Sequence, residues 1–529
     1  MDENSKAGGN KALIFASAVL IAVLLTLGIY WARASKAAQS APAAQAEPVA
    51  EADKLEPVAE VDKLEPATEA GQPAEAEEVE PAGQPDQAGQ PAQAQKETES
   101  AQAGQPAQEE QEQDDRGSLS RGGYTLEQVV VMSRHNIRSP MSGKGSALGM
   151  ITPHQWFEWS SNPSELSLRG GAAETLMGQY FRKWLEAEGL FPENYHPEEG
   201  AVRFYANSKQ RTIATTEYFK AGLLPTANSQ LEYNVTYDEM DPVFKPQLTF
   251  VTEEYADDVE AQIEELYGDE MRAMEDNFAL LADVVDLEES EAYKSGDVTG
   301  FSTDDMELVL NLNAEPAMQG SFRTACALSD ALVLQYYEEP EETKAAFGHT
   351  LTQEQWQEIS EIKDLYIDIL YATPLLAYNV EHPILQEIRS ELTAEGREFS
   401  FLCGHDSNIS GIVSALGAAK YSLPSSIETT APIGGKIVFS RWLAPDGGEY
   451  MSVDLVYASA DQLRNFKVMD PGNPPYVVPL TLEGLEQNED GLYKAEDVLG
   501  RLDEAIGEYD KLLEKYVAEP EEEELDEAA

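Results

Sequence analysis

The sequence predicts an α/β fold in which a doubly wound, mostly parallel sheet is flanked by helices, because one pattern occurs three times along the chain. Each copy consists of a short apolar run typical of a buried strand, then a polar loop, then a helical pattern. In open sheets of this kind the loops that follow the strands meet at one edge, where ligands bind and helix N-termini supply amide donors for an anion. The three predicted strands cover residues 129–132, 202–206 and 399–403.

The first copy ends in a loop that carries a histidine between two arginines, namely Arg134, His135 and Arg138. Two fixed cations beside an imidazole require a neutralising anion, because unpaired buried charge is costly. The planar guanidinium group suits a phosphate or a carboxylate. The cations also lower the proton affinity of the imidazole, which leaves it neutral and able to attack. The alternative is that both arginines pair with surface carboxylates of a very acidic protein.

The other two copies bring further polar groups to the same edge of the predicted sheet. Residues 207–212 follow the second strand and include Arg211, and residues 404–408 follow the third strand and include His405 and Asp406. We expect the three loops to form one cationic pocket that holds an anion, a nucleophilic histidine and a nearby carboxyl group.

Between residues 129 and 465 the sequence resembles the histidine acid phosphatase family, in the branch that contains the phytases. Residues 134–140 are similar to the Arg-His-Gly-x-Arg-x-Pro signature of that family, and residues 404–409 to its His-Asp motif. Asn136 stands where most members carry glycine. The bacterial periplasmic glucose-1-phosphatases of the family also have asparagine at this point. Further similar blocks lie at residues 206–212, 240–242, 334–338, 432–439 and 459–465.

The resemblance implies a role for each residue that matches a motif. His135 attacks phosphorus to form a phosphohistidine, and Asp406 serves first as the acid for the leaving group and then as the base that activates water. The residues implied to hold the phosphoryl oxygens are Arg134, Arg138, Arg211 and His405. No metal ion and no cofactor is implied, because the arginines neutralise the phosphate.

The substrate implied by the resemblance is glucose-1-phosphate or a related sugar phosphate, and phytate is the alternative. Glu315 matches a glutamate that faces the substrate in the glucose-1-phosphatases, but a solvated carboxylate at a helix end explains it equally well. A further alternative is a surface module that binds phosphate or sugar without turnover. A serine hydrolase is disfavoured because the chain contains no Gly-x-Ser-x-Gly elbow.

The composition restricts the partners. The chain has 529 residues and a formal net charge of −61, so a nucleic acid would be repelled, and a small phosphorylated substrate is the expected partner. It contains two cysteines, Cys326 and Cys403, and is therefore not a disulfide scaffold. Because Cys403 ends a predicted buried strand, a free and inert core thiol is favoured over a disulfide.

The N-terminal region predicts a membrane attachment. Residues 12–32 are uncharged, apolar and long enough to span a bilayer. We interpret them as an uncleaved transmembrane anchor with the body outside the cytoplasm, at the cell membrane; cleavage would give a secreted protein instead. The following segment is dominated by alanine, glutamate, glutamine and proline in short repeats, which is typical of a disordered spacer.

The predicted organisation has six parts, and the helical insertion rests on long acidic amphipathic runs together with the resemblance. The parts are a transmembrane signal-anchor at 1–36, a disordered stalk at 37–120, the first part of the α/β core at 121–235, an inserted all-α domain roofing the active site at 236–371, the second part of the core at 372–517, and an acidic disordered tail at 518–529.

Overall fold

A computed structural model describes residues 116–141 and 147–517 of the chain. In this part of the chain eight strands form the central sheet in the order β10-β8-β7-β1-β6-β2-β3, with β9 beside β8, and β4 and β5 form a separate pair. The strands are β1 (Thr125–Arg134), β2 (Val202–Ala206), β3 (Leu231–Glu232), β4 (Glu307–Val309), β5 (Ala317–Gln319), β6 (Phe399–Gly404), β7 (Lys436–Leu443), β8 (Glu449–Tyr457), β9 (Tyr476–Pro479) and β10 (Tyr493–Lys494).

Strand β1 lies at the centre of the sheet because its apolar residues are buried on both faces. Val129 and Val131 contribute to one hydrophobic cluster, whereas Val130 and Met132 contribute to a second cluster on the opposite face. This alternation follows from the two-residue period of a strand. The predicted α/β class with helices around a central sheet is therefore confirmed, and each face of the sheet is covered by its own core.

The prediction of a mostly parallel sheet is wrong for half of the sheet. Strands β1, β6, β2 and β3 are parallel to one another. Strand β7, however, pairs antiparallel with β1 and with β8, and β8 pairs antiparallel with β9 and β10. The reason is local: only a short turn separates β7 from β8, and such a connection permits an antiparallel hairpin but no parallel crossover.

Helices flank the sheet on both faces, as predicted. Residues of α1 and α2 contribute to the cluster that contains Val129, and residues of α10, α11 and α13 contribute to the cluster that contains Val130. The helices are α1 (Leu168–Ala187), α2 (Gln210–Leu223), α3 (Glu253–Ala273), α4 (Glu275–Val284), α5 (Glu291–Ser295), α6 (Ser321–Glu338), α7 (Glu342–Ala345), α8 (Gln353–Ile367), α9 (Pro374–Val380), α10 (His382–Thr393), α11 (Asp406–Ala415), α12 (Ala460–Asn465) and α13 (Ala495–Tyr516).

The insertion between residues 236 and 371 is helical over most of its length but is not all-α. Strands β4 and β5 form an antiparallel hairpin within it, in register from Glu307 opposite Gln319 to Val309 opposite Ala317. These strands are three residues long, which is too short to produce an alternating pattern in the sequence. Helices α6 and α8 of the insertion contribute side chains to the pocket described below.

Several predictions concern segments at the ends of the chain. The apolar segment 12–32, the stalk up to residue 115 and the tail from residue 518 lie outside the described residues. The packed body begins before residue 120, where we expected the stalk to end, because Leu119 is buried and the Arg116 carbonyl accepts a hydrogen bond from the Val477 amide at 2.6 Å. Within residues 116–141 and 147–517, no helix combines the length and the apolar character needed to cross a membrane.

Candidate active site

The loops after β1 and β6 are brought together by the register of the two strands. Arg134 at the end of β1 lies opposite Gly404 at the end of β6. The His135 amide then donates to the Gly404 carbonyl at 3.0 Å, and the rings of His135 and His405 meet edge to face with their centroids 5.5 Å apart. The predicted convergence of these two loops at one edge of the sheet is therefore what the structure shows.

His135 is held as a neutral imidazole whose Nε2 carries no proton. Its Nδ1 lies 2.9 Å from the backbone carbonyl of Asn136. Because a carbonyl can only accept a hydrogen bond, Nδ1 carries the proton and Nε2 keeps its lone pair. Burial, together with the positive charges of Arg211 and Arg138 and the neighbouring His405, holds the pKa of His135 well below its usual range. An unprotonated Nε2 is the form that a nucleophile requires.

In His405 the other ring nitrogen, Nδ1, faces the pocket. The Oδ1 of Asn207 accepts from the backbone amide of Asp241 at 2.9 Å, which turns its Nδ2 toward the His405 Nε2 at 2.6 Å. The Nε2 of His405 is thus the acceptor, and its Nδ1 carries the proton. Arg211 Nη2 lies 3.4 Å from this Nδ1, so two donors face the same region of the pocket. Such an arrangement suits an oxyanion that accepts from both donors.

Three buried arginines surround the histidines. The predicted phosphate ligands Arg134, Arg138 and Arg211 are all buried, and the Nε of each has no hydrogen-bond partner among the residues that the structure describes. Leaving such a buried donor unsatisfied costs about 1–3 kcal/mol per group. Burial and the adjacent Arg138 lower the pKa of Arg211 to about 10. These features are typical of a site that binds an anion.

Two carboxylates pair with the arginines at the pocket. Asp406 lies at the start of α11, with its Oδ2 3.0 Å from Arg134 Nη2, and Asp330 of α6 accepts from Arg138 Nη2 at 3.1 and 3.2 Å. The alternative that the arginines pair with carboxylates is thus correct in part, but both partners belong to the pocket. Burial tends to raise the pKa of Asp406, and Arg134 and Lys363 outweigh it and hold that pKa well below the usual range.

A second layer of charged residues, which the sequence does not predict, lies behind Arg134. Lys363 of α8 is buried and its Nζ lies 2.5 Å from Asp364, which in turn accepts from the Thr429 amide at 2.7 Å. Glu428 of the adjoining loop accepts from the Ile433 amide at 3.0 Å, beside the Ala431 carbonyl that binds Arg134. A helical pattern gives no signal for single inward polar residues, so only the folded chain reveals them.

Glu315 lies in the loop between β4 and β5 rather than at a helix end, so that detail of the alternative is wrong. Its side chain is exposed. Partial desolvation of the carboxyl group by neighbouring atoms nevertheless raises its pKa. The positive charges of Lys245, Arg211 and Lys209 act in the opposite direction. The carboxylate is therefore within electrostatic range of one phosphate-binding arginine. Its contact with a substrate remains a prediction.

The two cysteines are free, as favoured from the sequence. Cys403 is fully buried in β6, directly before the His405 loop, and burial raises the pKa of its thiol to about 12. A thiol held in this protonated form is a poor nucleophile, so it contributes packing rather than chemistry.

A buried carboxyl group behind the His405 loop leads to a prediction about stability. Glu381 accepts from Asn408 Nδ2 at 3.0 Å, and Asn408 Oδ1 accepts from the His405 amide at 3.0 Å. Burial raises the pKa of Glu381 from 4.5 to about 8. Between these values the folded protein keeps a proton that the unfolded chain releases. The free energy of unfolding should therefore fall as the pH rises, by up to about 1.4 kcal/mol per pH unit for this group.

Replacing Glu381 with glutamine, which cannot ionise, should remove the contribution of this group to the fall in the free energy of unfolding with rising pH. Urea unfolding of both proteins across the range between the two pKa values measures the difference. Asp368, whose pKa burial raises to about 7, contributes in the same direction, so the variant should retain a shallower slope. Identical slopes in the wild type and in Glu381→Gln would contradict the assignment.

Comparison with known proteins agrees with this geometry. Residues 125–458 match the family model of the histidine phosphatase superfamily, branch 2. The chain is 34% identical to a glucose-1-phosphatase of Salmonella typhimurium over 375 residues, covering 70% of this chain and 90% of that protein. It is 33% identical to a glucose-1-phosphatase of Providencia rettgeri over 373 residues, covering 69% and 88%.

Among solved structures, the phytase of Hafnia alvei in complex with myo-inositol hexakis sulphate superposes with a TM-score of 0.65 at 27% identity, covering 74% of this chain and 98% of that one. The family match includes the loops that carry His135 and His405, the two histidines that the sheet places side by side. On the evidence of its sequence, its sheet and its site, this chain belongs to the histidine phosphatase superfamily, branch 2.

Proposed function

We propose that this protein hydrolyses phosphate monoesters through a phosphohistidine on His135, with glucose-1-phosphate or a related sugar phosphate as its substrate. The observation that carries the proposal is the unprotonated Nε2 of a buried, neutral His135. It is placed among three arginines whose Nε atoms have no partner within residues 116–141 and 147–517. This combination supplies a nucleophile and donors for the oxygens of the group that it attacks.

In the first step, His135 Nε2 forms a bond to phosphorus as the bond to the sugar oxygen breaks. The proton stays on Nδ1 and is donated to the Asn136 carbonyl, and this hydrogen bond stabilises the positive charge that develops on the ring. The donors available to the phosphoryl oxygens are those of Arg134, Arg138, Arg211 and His405 Nδ1.

The departing sugar alkoxide takes its proton from Asp406. In the free site Arg134 holds this carboxyl group ionised. A bound phosphate competes for Arg134 and brings negative charge close to Asp406, and both effects raise the pKa of the carboxyl group. Substrate binding itself therefore prepares the acid. In the second step Asp406 accepts a proton from water, the oxygen of that water attacks phosphorus, the bond to Nε2 breaks, and inorganic phosphate leaves.

The preference for a sugar phosphate is supported by two glucose-1-phosphatases at 33–34% identity and by the charges at the pocket. Asp330 and Asp406 already offset two of the arginines, and Glu315 adds a third carboxylate within range of Arg211. A ligand with one phosphate satisfies the remaining donors, whereas a ligand with six phosphates brings excess negative charge to an acidic protein. We propose that Glu315 faces the leaving group.

Phytate is the second candidate substrate. It is favoured by the similarity to the Hafnia alvei phytase, whose structure contains myo-inositol hexakis sulphate. Lys209 and Lys245, which lie within electrostatic range of Glu315, provide cations outside the core of the pocket. A second phosphate could pair with them.

A substrate panel separates the two candidates. At low salt we expect glucose-1-phosphate to have the higher kcat/KM, because phytate is repelled over a range of about 10 Å or more. Raising the salt concentration should reduce the difference in kcat/KM between the two substrates. Glu315→Gln should reduce this difference further by removing one negative charge. Phosphate release from both substrates is measured on the purified protein. Equal kcat/KM values at low salt would contradict the preference for the monoester.

We also propose that the catalytic body lies outside the cytoplasm, attached to the cell membrane by the apolar segment 12–32. The support is the length and the uncharged composition of that segment, followed by an acidic spacer. Protease added to intact cells should then degrade the body. Protection of the body until the cells are lysed would contradict this location.

A further inference from the structure

Asn136 follows the proposed nucleophile, but its side chain points away from the pocket. Its Nδ2 donates to Glu174 Oε2 at 2.8 Å, and its Oδ1 accepts from the Ile137 amide at 2.9 Å. Glu174, on α1, is completely buried. Both polar atoms of the Asn136 side chain are therefore engaged within the protein, and its contribution to the site passes through the groups that it binds.

Glu174 also forms an ion pair with Lys436 at the start of β7, with Oε1 2.8 Å from Nζ and both side chains completely buried. Burying two charges costs several kcal/mol per ion before their attraction offsets it. A pair of this kind is weak evidence for stability alone. Its position beside the catalytic loop suggests that it fixes geometry instead.

The network returns to His135 through the loop before β7. Lys436 Nζ donates to the Gly434 carbonyl at 2.8 Å, and the Gly434 amide donates to the His135 carbonyl at 3.2 Å. Gly434 has φ +67°, and a Cβ at this position would lie 2.5 Å from Asn136 Nδ2. Only glycine therefore allows the loop to approach Asn136 this closely.

The same residue also controls the ring. The carbonyl of Asn136 accepts from His135 Nδ1 at 2.9 Å, and its amide donates to Thr215 Oγ1 at 3.1 Å. The peptide units on both sides of Asn136 are thus held by its own side chain and by Thr215. A shift of this backbone would move the carbonyl that fixes the tautomer and direction of the His135 ring.

We propose that Asn136, Glu174 and Lys436 form a positioning network that holds the His135 ring with Nε2 directed at phosphorus. The inference rests on the proposed role of His135 as the nucleophile. The three residues are positioning residues, since their side chains bind one another and the loop backbone. Disturbing the network should lower the rate of the attack and leave substrate affinity nearly unchanged, because the arginines that bind the phosphate remain in place.

The test is a swap of donor and acceptor at one contact. Asn136→Asp keeps the shape of the side chain but places a carboxylate against Glu174, and Glu174→Gln supplies a donor that restores the hydrogen bond and keeps one negative charge near Lys436. We expect Asn136→Asp to lower kcat about 10- to 100-fold with little change in KM, a loss of the size caused by misplacing a reactive group by about 1 Å. The double variant should recover most of this loss.

Asp454→Asn is the matched control. It removes another buried carboxylate, whose partner Arg121 lies 3.1 Å away and outside the pocket. It should lower the free energy of unfolding without changing kcat. If Asn136→Asp lowered only stability, as this control does, or if the double variant showed no rescue, the inference would be overturned.

If Asn136→Asp does not fold, Asn136→Ala, which adds no charge, gives the same comparison of kcat with KM. A wild type that releases no phosphate from any monoester would instead refute the proposed function.

Discussion

Replacing His135 with alanine is expected to reduce phosphate release from glucose-1-phosphate on the order of 10⁴-fold or more, because covalent catalysis is lost together with its nucleophile. The arginines and His405 remain, so the variant should still bind phosphate. The measurement is single-turnover phosphate release combined with the affinity for inorganic phosphate. The matched control is His154→Ala, since His154 pairs with Asp286 and stacks on Phe347, outside the group of pocket donors.

The control should retain the activity of the wild type. A His135→Ala variant with activity within tenfold of the wild type would show that water attacks phosphorus directly. The same result would remove the reason for the fixed tautomer, since the proton on Nδ1 matters only if Nε2 is the attacking atom.

Replacing Asp406 with asparagine is expected to lower kcat for glucose-1-phosphate by about 10²- to 10⁴-fold, the usual contribution of a positioned acid or base. The loss should depend on the leaving group. A nitrophenolate departs without a proton, so the first turnover of nitrophenyl phosphate should stay fast in this variant. The second step still lacks its base, and the phosphohistidine should accumulate. A rapid burst followed by a slow steady state is the expected time course.

Asp330→Asn is the control for the acid, because Asp330 also neutralises a pocket arginine but pairs with Arg138 instead of Arg134. This substitution should change the affinity for the sugar ester and for the nitrophenyl ester by the same factor. If Asp406→Asn lost the same factor with the sugar and the nitrophenyl ester and showed no burst, Asp406 would have only an electrostatic role.

The sequence predicts the pocket well because the information is local. Each apolar run is long enough to identify a buried strand, and the polar residues follow it directly. Parallel pairing of β1 with β6 and of β2 with β6 then brings the three loops to one edge of the sheet. His135, Arg211 and His405 are consequently found together without any further information about the fold.

The remaining features depend on contacts between distant parts of the chain. Glu174 lies on a helix with a helical pattern of apolar residues, and Lys436 begins a strand, so neither has a local signal for their buried pairing. Asp330 and Lys363 are single polar residues on helices of the insertion, and only packing shows that they face the pocket. The antiparallel half of the sheet is a different case: periodicity does not encode strand direction, but the short turn between β7 and β8 is a local sign of a hairpin.

The most direct measurement locates the phosphate on the protein during turnover. Asp406→Asn is mixed with nitrophenyl phosphate and denatured in alkali, where a phosphoramidate survives, and its peptides are analysed by mass spectrometry. We predict phosphate on His135, bonded to Nε2, in an amount that matches the burst. Phosphate on His405 or another residue, or a burst without any phosphorylated peptide, would contradict the claim that the pocket directs the His135 ring at phosphorus.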